Sequence, residues 1–237
     1  MNASPLVIQA SIGSRALSDG GHDDFNQGQI SCRRPGDSTF MIKGATIGFD
    51  EATPDTFVRA GTGVDAPVDP HAPPELPLHQ AIYAQRADVG AIVHSHAPAC
   101  LVFGALDEPI REINHEGALF AGSVNRFLRT SNTVLTLDVG LEIARCLDDG
   151  MGVFLVNHGS VVVGKSVRHA VVFALLLERV CRLHLDVLAT GRSFRVSDPI
   201  DVEAKREYIY ADLSVRSYWE HTRRRVVRTH PEVGEWL

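Results

Sequence analysis

Two histidines one residue apart, His94-Ser95-His96, have the spacing that most directly suggests chemistry. On a strand, side chains at i and i+2 leave the same face, so both imidazoles would address one spot. On a helix they would diverge by about 200°. Pro98 disfavours helical backbone just before it, which favours the strand. A third imidazole, His158, falls in the turn Asn157-His158-Gly159 between two apolar runs, an uncommon place for a polar ring without a task. Three imidazoles suit zinc, manganese, iron or cobalt better than calcium or magnesium. Glu75, set among prolines upstream, could fold over such an ion, either as a further ligand or as an acid/base, because ion attraction and desolvation shift its pKa in opposite directions.

The surrounding pattern says what must hold these groups. The first third reads as a helix, then short strands including FMIKGATIGF, then a loop. The stretch from Gly61 to Pro77 contains five prolines and is expected to be that loop throughout. LHQAIYAQR has helical spacing and AIVHSHA begins as an apolar strand, which puts His94 and His96 at the strand's end. GLEIARCLDDG predicts a helix closed by Gly150, and VFLVNHGSVVVG two strands joined at Asn157-His158-Gly159. A long helix is predicted from an N-cap at Ser166 to a stop at Gly191. Strands and helices in this order predict a layered α/β sheet. Residues 1–195 form the expected catalytic unit, and residues 196–237 a helical tail that packs on it or on a neighbouring subunit.

Composition narrows the class. With 237 residues, 44% apolar and 22% charged, the chain can bury a core of its own. A net charge of -6, with basic residues scattered apart from Arg223–Arg225, leaves no nucleic-acid footprint. No apolar stretch is long enough for a bilayer and the N-terminus lacks the pattern of a signal peptide, so a soluble cytoplasmic protein without a membrane partner is expected. Cys32, Cys100, Cys146 and Cys181 show no Cys-x-x-Cys spacing and read as reduced structural thiols. Of the other histidines, spacing assigns none, although His115, followed by Glu116, is a candidate to line a pocket.

Taken together, PPELPLH (73–79), HSHAP (94–98), NHGSVVVG (157–164) and the earlier Gly28-Gln29-Ile30-Ser31 resemble the class II aldolase and adducin head family over roughly residues 10–190. The resemblance implies a single-domain α/β/α sandwich around a mostly antiparallel sheet, commonly assembled as a cyclic homotetramer with sites between subunits. It also implies one divalent ion, Mn2+ or Zn2+ with Fe2+ or Co2+ open, on His94, His96 and His158. Glu75 is the implied acid/base and occasional fourth ligand. Gln29, Ser31, Lys43 and Gly44, together with His115, are the candidate substrate-binding residues.

Departures from the family pattern bear on the substrate. Where its sugar-phosphate aldolases hold phosphate with Asn, Thr-Gly and Ser-Ser, this chain has Gln29, Lys43-Gly44 and Pro73-Pro74. Pro74 offers neither hydroxyl nor N–H, so a phosphate cradle is not expected. FNQGQIS, an acid without a Ser-Ser pair and a tail containing YWEH are similar to the family's decarboxylase branch, which acts on dihydroxyphthalate or hydroxypyridine dicarboxylates. The expected function is therefore metal-dependent decarboxylation of a small anionic hydroxylated aromatic acid in aromatic catabolism, with Lys43, Arg33 or Arg34 as cations for a second carboxylate. An aldolase or epimerase acting on a hydroxy-carbonyl compound, and a non-catalytic interaction domain, stay open as alternatives.

Overall fold

The short apolar runs pair edge to edge into one sheet. A computed structural model describes residues 4–63 and 66–237; residues 64 and 65 of the proline-rich loop and the first three residues lie outside that description. Among the described residues the sheet has seven strands: β1 (Gln29–Cys32), β2 (Thr39–Lys43), β3 (Phe57–Gly61), β4 (Ala91–Ser95), β5 (Val124–Phe127), β6 (Gly152–Leu155) and β7 (Gly159–Gly164). Their order is β3-β2-β1-β4-β7-β6-β5, and every neighbouring pair is antiparallel except β5 with β6.

Alternation along the strands sorts side chains into two cores. In β4, Ala91 and Val93 join one cluster and Ile92 the other; in β7, Val162 faces the first and Val161 and Val163 the second. The first cluster is covered by α1 (Pro5–Leu17), α3 (Pro98–Gly104), α6 (Val167–Ala189) and α8 (Asp212–Thr229). The second is covered by α2 (Leu76–Gln85) and α5 (Leu137–Leu147). Helices thus lie on both faces of a mostly antiparallel sheet, the α/β/α arrangement expected from the sequence. Two further helices, α4 (His115–Phe120) and α7 (Pro199–Ile209), pack on each other.

Three local expectations need correction. The loop after β3 ends at Glu75 rather than Pro77, because Pro77 occupies the first turn of α2, where its missing N–H costs nothing. α5 stops at Leu147 and its reversal is made by Asp148 at φ 50, not by Gly150. Ser166 does precede α6, but its hydroxyl bonds His169 Nδ1 at 2.8 Å instead of capping a backbone N–H. Gly191, at φ 62, follows the end of α6 as expected.

The tail packs on its own chain. Val215, Trp219 and Val226 of α8 and Val233 beyond it belong to the same cluster as α1 and α6. Arg206 of α7 donates from Nε to the Ala118 carbonyl and from a terminal nitrogen to that of Ala121, both at 2.7 Å, closing the end of α4. All four cysteines are free thiols, and among the described residues no helix is long and apolar enough to cross a membrane. Trp219 is 4% exposed, so Trp219→Ala is expected to destabilise the chain by about 3–5 kcal/mol. Urea unfolding measures this, and a loss below about 1 kcal/mol would mean that the tail contributes little to the core.

Candidate metal centre

Strand register fixes the first two imidazoles. His94 stands opposite Gln29 of β1 and Val161 of β7, with its ring on the α2/α5 side of the sheet along with Ile92. His96 lies one residue past the strand, in the extended link into α3. His158 arrives from the β6–β7 turn, whose reversal places Asn157 at φ 61. Gly159 makes the approach possible: a Cβ there would lie 2.7 Å from His96 Cδ2 and 2.7 Å from the Ser95 carbonyl oxygen. The three ring centroids are 5.1, 5.1 and 5.3 Å apart.

Glu75, at the N-cap of α2, brings its carboxylate to the same point. Its Oε2 lies 3.1 Å from His94 Nε2 and its Oε1 3.3 Å from His158 Nε2. One ligand atom from each of Glu75, His94, His96 and His158 falls within 4.8 Å of all the others. The tautomers support the same reading. His94 Nδ1–H donates to the Ser160 carbonyl at 3.0 Å, and His96 Nδ1–H donates to Asp24 Oδ2 at 2.8 Å. Each ring is left with a bare Nε2 lone pair, and both Nε2 atoms are buried without a hydrogen-bond partner. Buried, convergent, unpartnered imidazole nitrogens beside a carboxylate fit a divalent ion of the zinc or manganese kind.

Electrostatics keep the set in ligand form. Burial alone would raise the Glu75 pKa, but with no ion bound the adjacent His94 and His158 rings, in their protonated forms, and the Val134 N–H outweigh it and hold the carboxyl well below its usual range. Burial lowers His96, and the charge of His94 adds to that effect against the Asp24 hydrogen bond. The site therefore has an ionised acid, and burial disfavours the imidazolium form of His96, both of which suit cation ligation.

A cavity of about 270 Å3 opens beside Glu75, lined by Asn26, Gln27, Gly28, Gln29, Lys43, Ala45, Pro73, Pro74, Glu75 and Thr133. Gln29 donates from Nε2 to Glu75 Oε2 at 3.4 Å, while its Oε1 is buried without a partner. Ser31 lies behind that wall, its hydroxyl 2.8 Å from His79 Nδ1 and 2.9 Å from the Tyr83 hydroxyl. Lys43 lines the cavity, but its ammonium donates to the carbonyls of Asn26, Gly44 and Ile47, and burial lowers its pKa to about 8. Gly44 does not line the cavity; its N–H donates to the Thr56 carbonyl at 2.9 Å.

Some expected groups are not brought together. His115 is exposed at the start of α4, outside both the cavity lining and the ligand cluster. Arg33 sits past the opposite end of β1, with its guanidinium donating to the carbonyls of Val89, Asp37, Tyr83 and Arg86; Arg34 is exposed. Neither arginine reaches the cavity. Sequence reasoning missed Asp24 and the Val134 N–H, which grip His96 and Glu75 from positions 72 and 59 residues away. It also passed over His79, fully buried, with burial the main cause that takes its pKa down to about 3. The one available signal was spacing: His79 follows Glu75 by four residues, one helical turn along α2.

Residues 12–185 match the family described as Class II Aldolase and Adducin N-terminal domain. The chain belongs to that family. An L-fuculose phosphate aldolase of Methanococcus maripaludis is 31% identical over 113 residues, covering 46% of this chain and 59% of that protein. The chain thus spans well under two thirds of that relative's length. A 3,4-dihydroxyphthalate decarboxylase of Arthrobacter keyseri is 27% identical over 166 residues, 65% of this chain and 64% of that one. Among solved structures, an aldolase II superfamily protein from Pseudomonas syringae superposes with a TM-score of 0.83 at 23% identity, covering 96% and 95% of the two chains.

The geometry makes metal content a direct readout. His94→Ala and His158→Ala are expected to abolish the stoichiometric ion in elemental analysis while circular dichroism stays native. Gly159→Ala is expected to lower metal content by displacing the His96 ring. Full metal retention in either histidine variant would exclude that residue as a ligand. Because an ion that binds only the folded chain stabilises it, saturation at about 100 times Kd should add about 2.7 kcal/mol, lost on chelation. A melting temperature indifferent to chelator would contradict a built site.

Proposed function

We propose that the chain is a carbon–carbon lyase, a decarboxylase of a hydroxylated aromatic dicarboxylate, working with one divalent ion on His94, His96 and His158. The observation that carries the reading is the pairing of an imidazole–carboxylate cluster with a cavity whose lining next to Glu75 is Pro73-Pro74. Those prolines provide neither hydroxyl nor N–H at the place where the sequence pattern of the sugar-phosphate aldolases has a Ser-Ser pair. The decarboxylase activity named for the Arthrobacter keyseri relative supports this reading, because its substrate carries no phosphate. In this reading residues 1–195 carry the centre and residues 196–237 brace it.

The ion, when bound, supplies Lewis-acid stabilisation of negative charge on the ring oxygen. The remaining steps fall to the chain. Glu75 is ionised and so enters as a proton acceptor. It takes the proton of the ortho hydroxyl and returns it to the ring carbon that carries the carboxylate. That carbon then belongs to a β-keto acid; its bond to the carboxylate breaks, carbon dioxide leaves, and the electron pair restores the aromatic phenolate. Gln29, with Nε2 committed to Glu75, presents Oε1 as an acceptor for a second substrate hydroxyl. Lys43 organises the cavity wall through backbone carbonyls, and Thr133 adds a neutral polar group to the lining.

A second reading, retro-aldol cleavage of a hydroxy-carbonyl compound, is favoured by the Methanococcus maripaludis relative. It makes the same demand, stabilisation of an enolate by an ion beside Glu75. Assembly of several copies belongs to either reading, and the exposed Leu128, Leu135 and Leu213 are apolar surface it would cover.

Incubation of metal-loaded protein with 3,4-dihydroxyphthalate and hydroxypyridine dicarboxylates is expected to release carbon dioxide. Aldehyde formation from L-fuculose phosphate, with no carbon dioxide from the aromatic acids, would instead establish the aldolase reading. Glu75→Gln is expected to keep most of the metal and lower kcat by about 100-fold or more. Undiminished turnover in that variant would remove Glu75 from proton transfer.

A further inference from the structure

The link that carries His96 is gripped by a segment far away in sequence. α1 does not end in an ordinary turn: Ser18–His22 continue it as a π-helix with Gly21 at φ 85, and Asp23 leaves in extended backbone. This irregular end delivers two side chains to the end of β4. His22 Nδ1 lies 2.8 Å from Ser95 Oγ, and Asp24 Oδ2 lies 2.8 Å from His96 Nδ1. The next residue, Phe25, is at φ 52, a conformation that bulky side chains adopt only at a cost. Asn26 then anchors the loop, donating to the Ala45 carbonyl and accepting from Lys43 Nζ. Single π turns and strained residues persist where the surroundings over-determine them, and functional sites are where they gather.

The three imidazoles differ in what holds their second nitrogen. His94 Nδ1 has a backbone carbonyl, His96 Nδ1 has a carboxylate, and His158 Nδ1 is buried without a partner among the described residues. A charged acceptor forms the strongest of such bonds, fixes both tautomer and ring plane, and raises the basicity of the opposite nitrogen. We propose that Asp24 is the positioning residue for His96, and that the π-helical end of α1 exists in this fold to deliver it. Asp24 keeps the proton on Nδ1 and aims Nε2 at the ion; His22, on the neighbouring Ser95, holds the same link from its other side. The inference rests on the metal reading of the centre.

The test reads metal binding rather than turnover. Metal-free protein is titrated with Co2+, followed by visible absorption, and with Zn2+ against a chromophoric chelator. Wild type is expected to take up one Co2+ per chain with a saturable spectrum. Asp24→Ala is expected to bind about 10–100-fold more weakly, with shifted cobalt bands. Asp24→Asn, whose amide oxygen still accepts from Nδ1–H, is expected to recover part of that loss. Asp23→Asn, which removes a carboxylate one residue away, is expected to bind as wild type. Circular dichroism establishes that each variant folds, and if Asp24→Ala does not, Asp24→Asn carries the comparison. Wild-type affinity and band positions in whichever Asp24 variant is folded, or an equal loss in Asp23→Asn, would overturn the inference. A wild type that gives no cobalt spectrum overturns the metal reading instead.

Discussion

The antiparallel register of β1, β4 and β7 is the constraint on which the rest of this molecule depends. It sets Gln29 beside His94 and Ser95 beside Ser160, and it brings the β6–β7 turn, with His158, to the end of β4. A slip of one residue would turn His94 into the opposite core and Val93 into the site, because successive side chains alternate between faces. Registers of this kind are held by burial on both sides. Val93 and Val162 are committed to the α1/α6 core while Ile92, Val161 and Val163 are committed to the α2/α5 core. The position of the imidazoles is therefore a by-product of packing many apolar side chains at once.

That packing is asked to support an arrangement which, taken alone, is unfavourable. Buried imidazole nitrogens without partners cost about 1–3 kcal/mol each, and a half-satisfied polar cluster is worse than an apolar core. The chain offsets this with neighbours that satisfy the outer atoms of His94, His96 and Glu75: the Ser160 carbonyl, the Asp24 carboxylate and the Val134 N–H. What is left unsatisfied points inward, toward one place. A cation there converts the liability into coordination and couples its own binding to folding. The same logic explains the dense hydrogen bonding around Lys43 and Arg33, two buried cations whose donors end on backbone carbonyls rather than on a ligand.

The cavity beside Glu75 is shaped by residues that also serve the helix behind it. Pro73 and Pro74 lead into Glu75 at the N-cap of α2, and Pro77 sits in its first turn, where no intrahelical donor is needed; the two prolines before the acid add no hydroxyl and no N–H to the adjacent cavity. The start of a helix and the lining of the cavity thus sit on the same few residues. The imidazole–carboxylate cluster behind them is built separately, from β4 and the link that follows it, the β6–β7 turn and the N-cap itself.

Local chemistry made much of this legible in advance. The i, i+2 histidines, the turn signal at Asn157-His158-Gly159, the proline-rich approach to Glu75 and the periodicity of α6 are short-range facts; they marked candidate ligands and a layered α/β sheet, and the family resemblance joined those candidates into one expected set. What the tertiary structure alone decided are the contacts whose partners lie far apart in sequence. Asp24 on His96, Val134 on Glu75, Ser31 on His79 and the diversion of Arg33 and Lys43 to carbonyls leave no local pattern, since they depend on how strands align and where helices land. The residue types for the chemistry can be read from the sequence because ligand identity is a property of single side chains. Their hydrogen-bond partners, their neighbours and their convergence on one point belong to the fold, because those are properties of pairs.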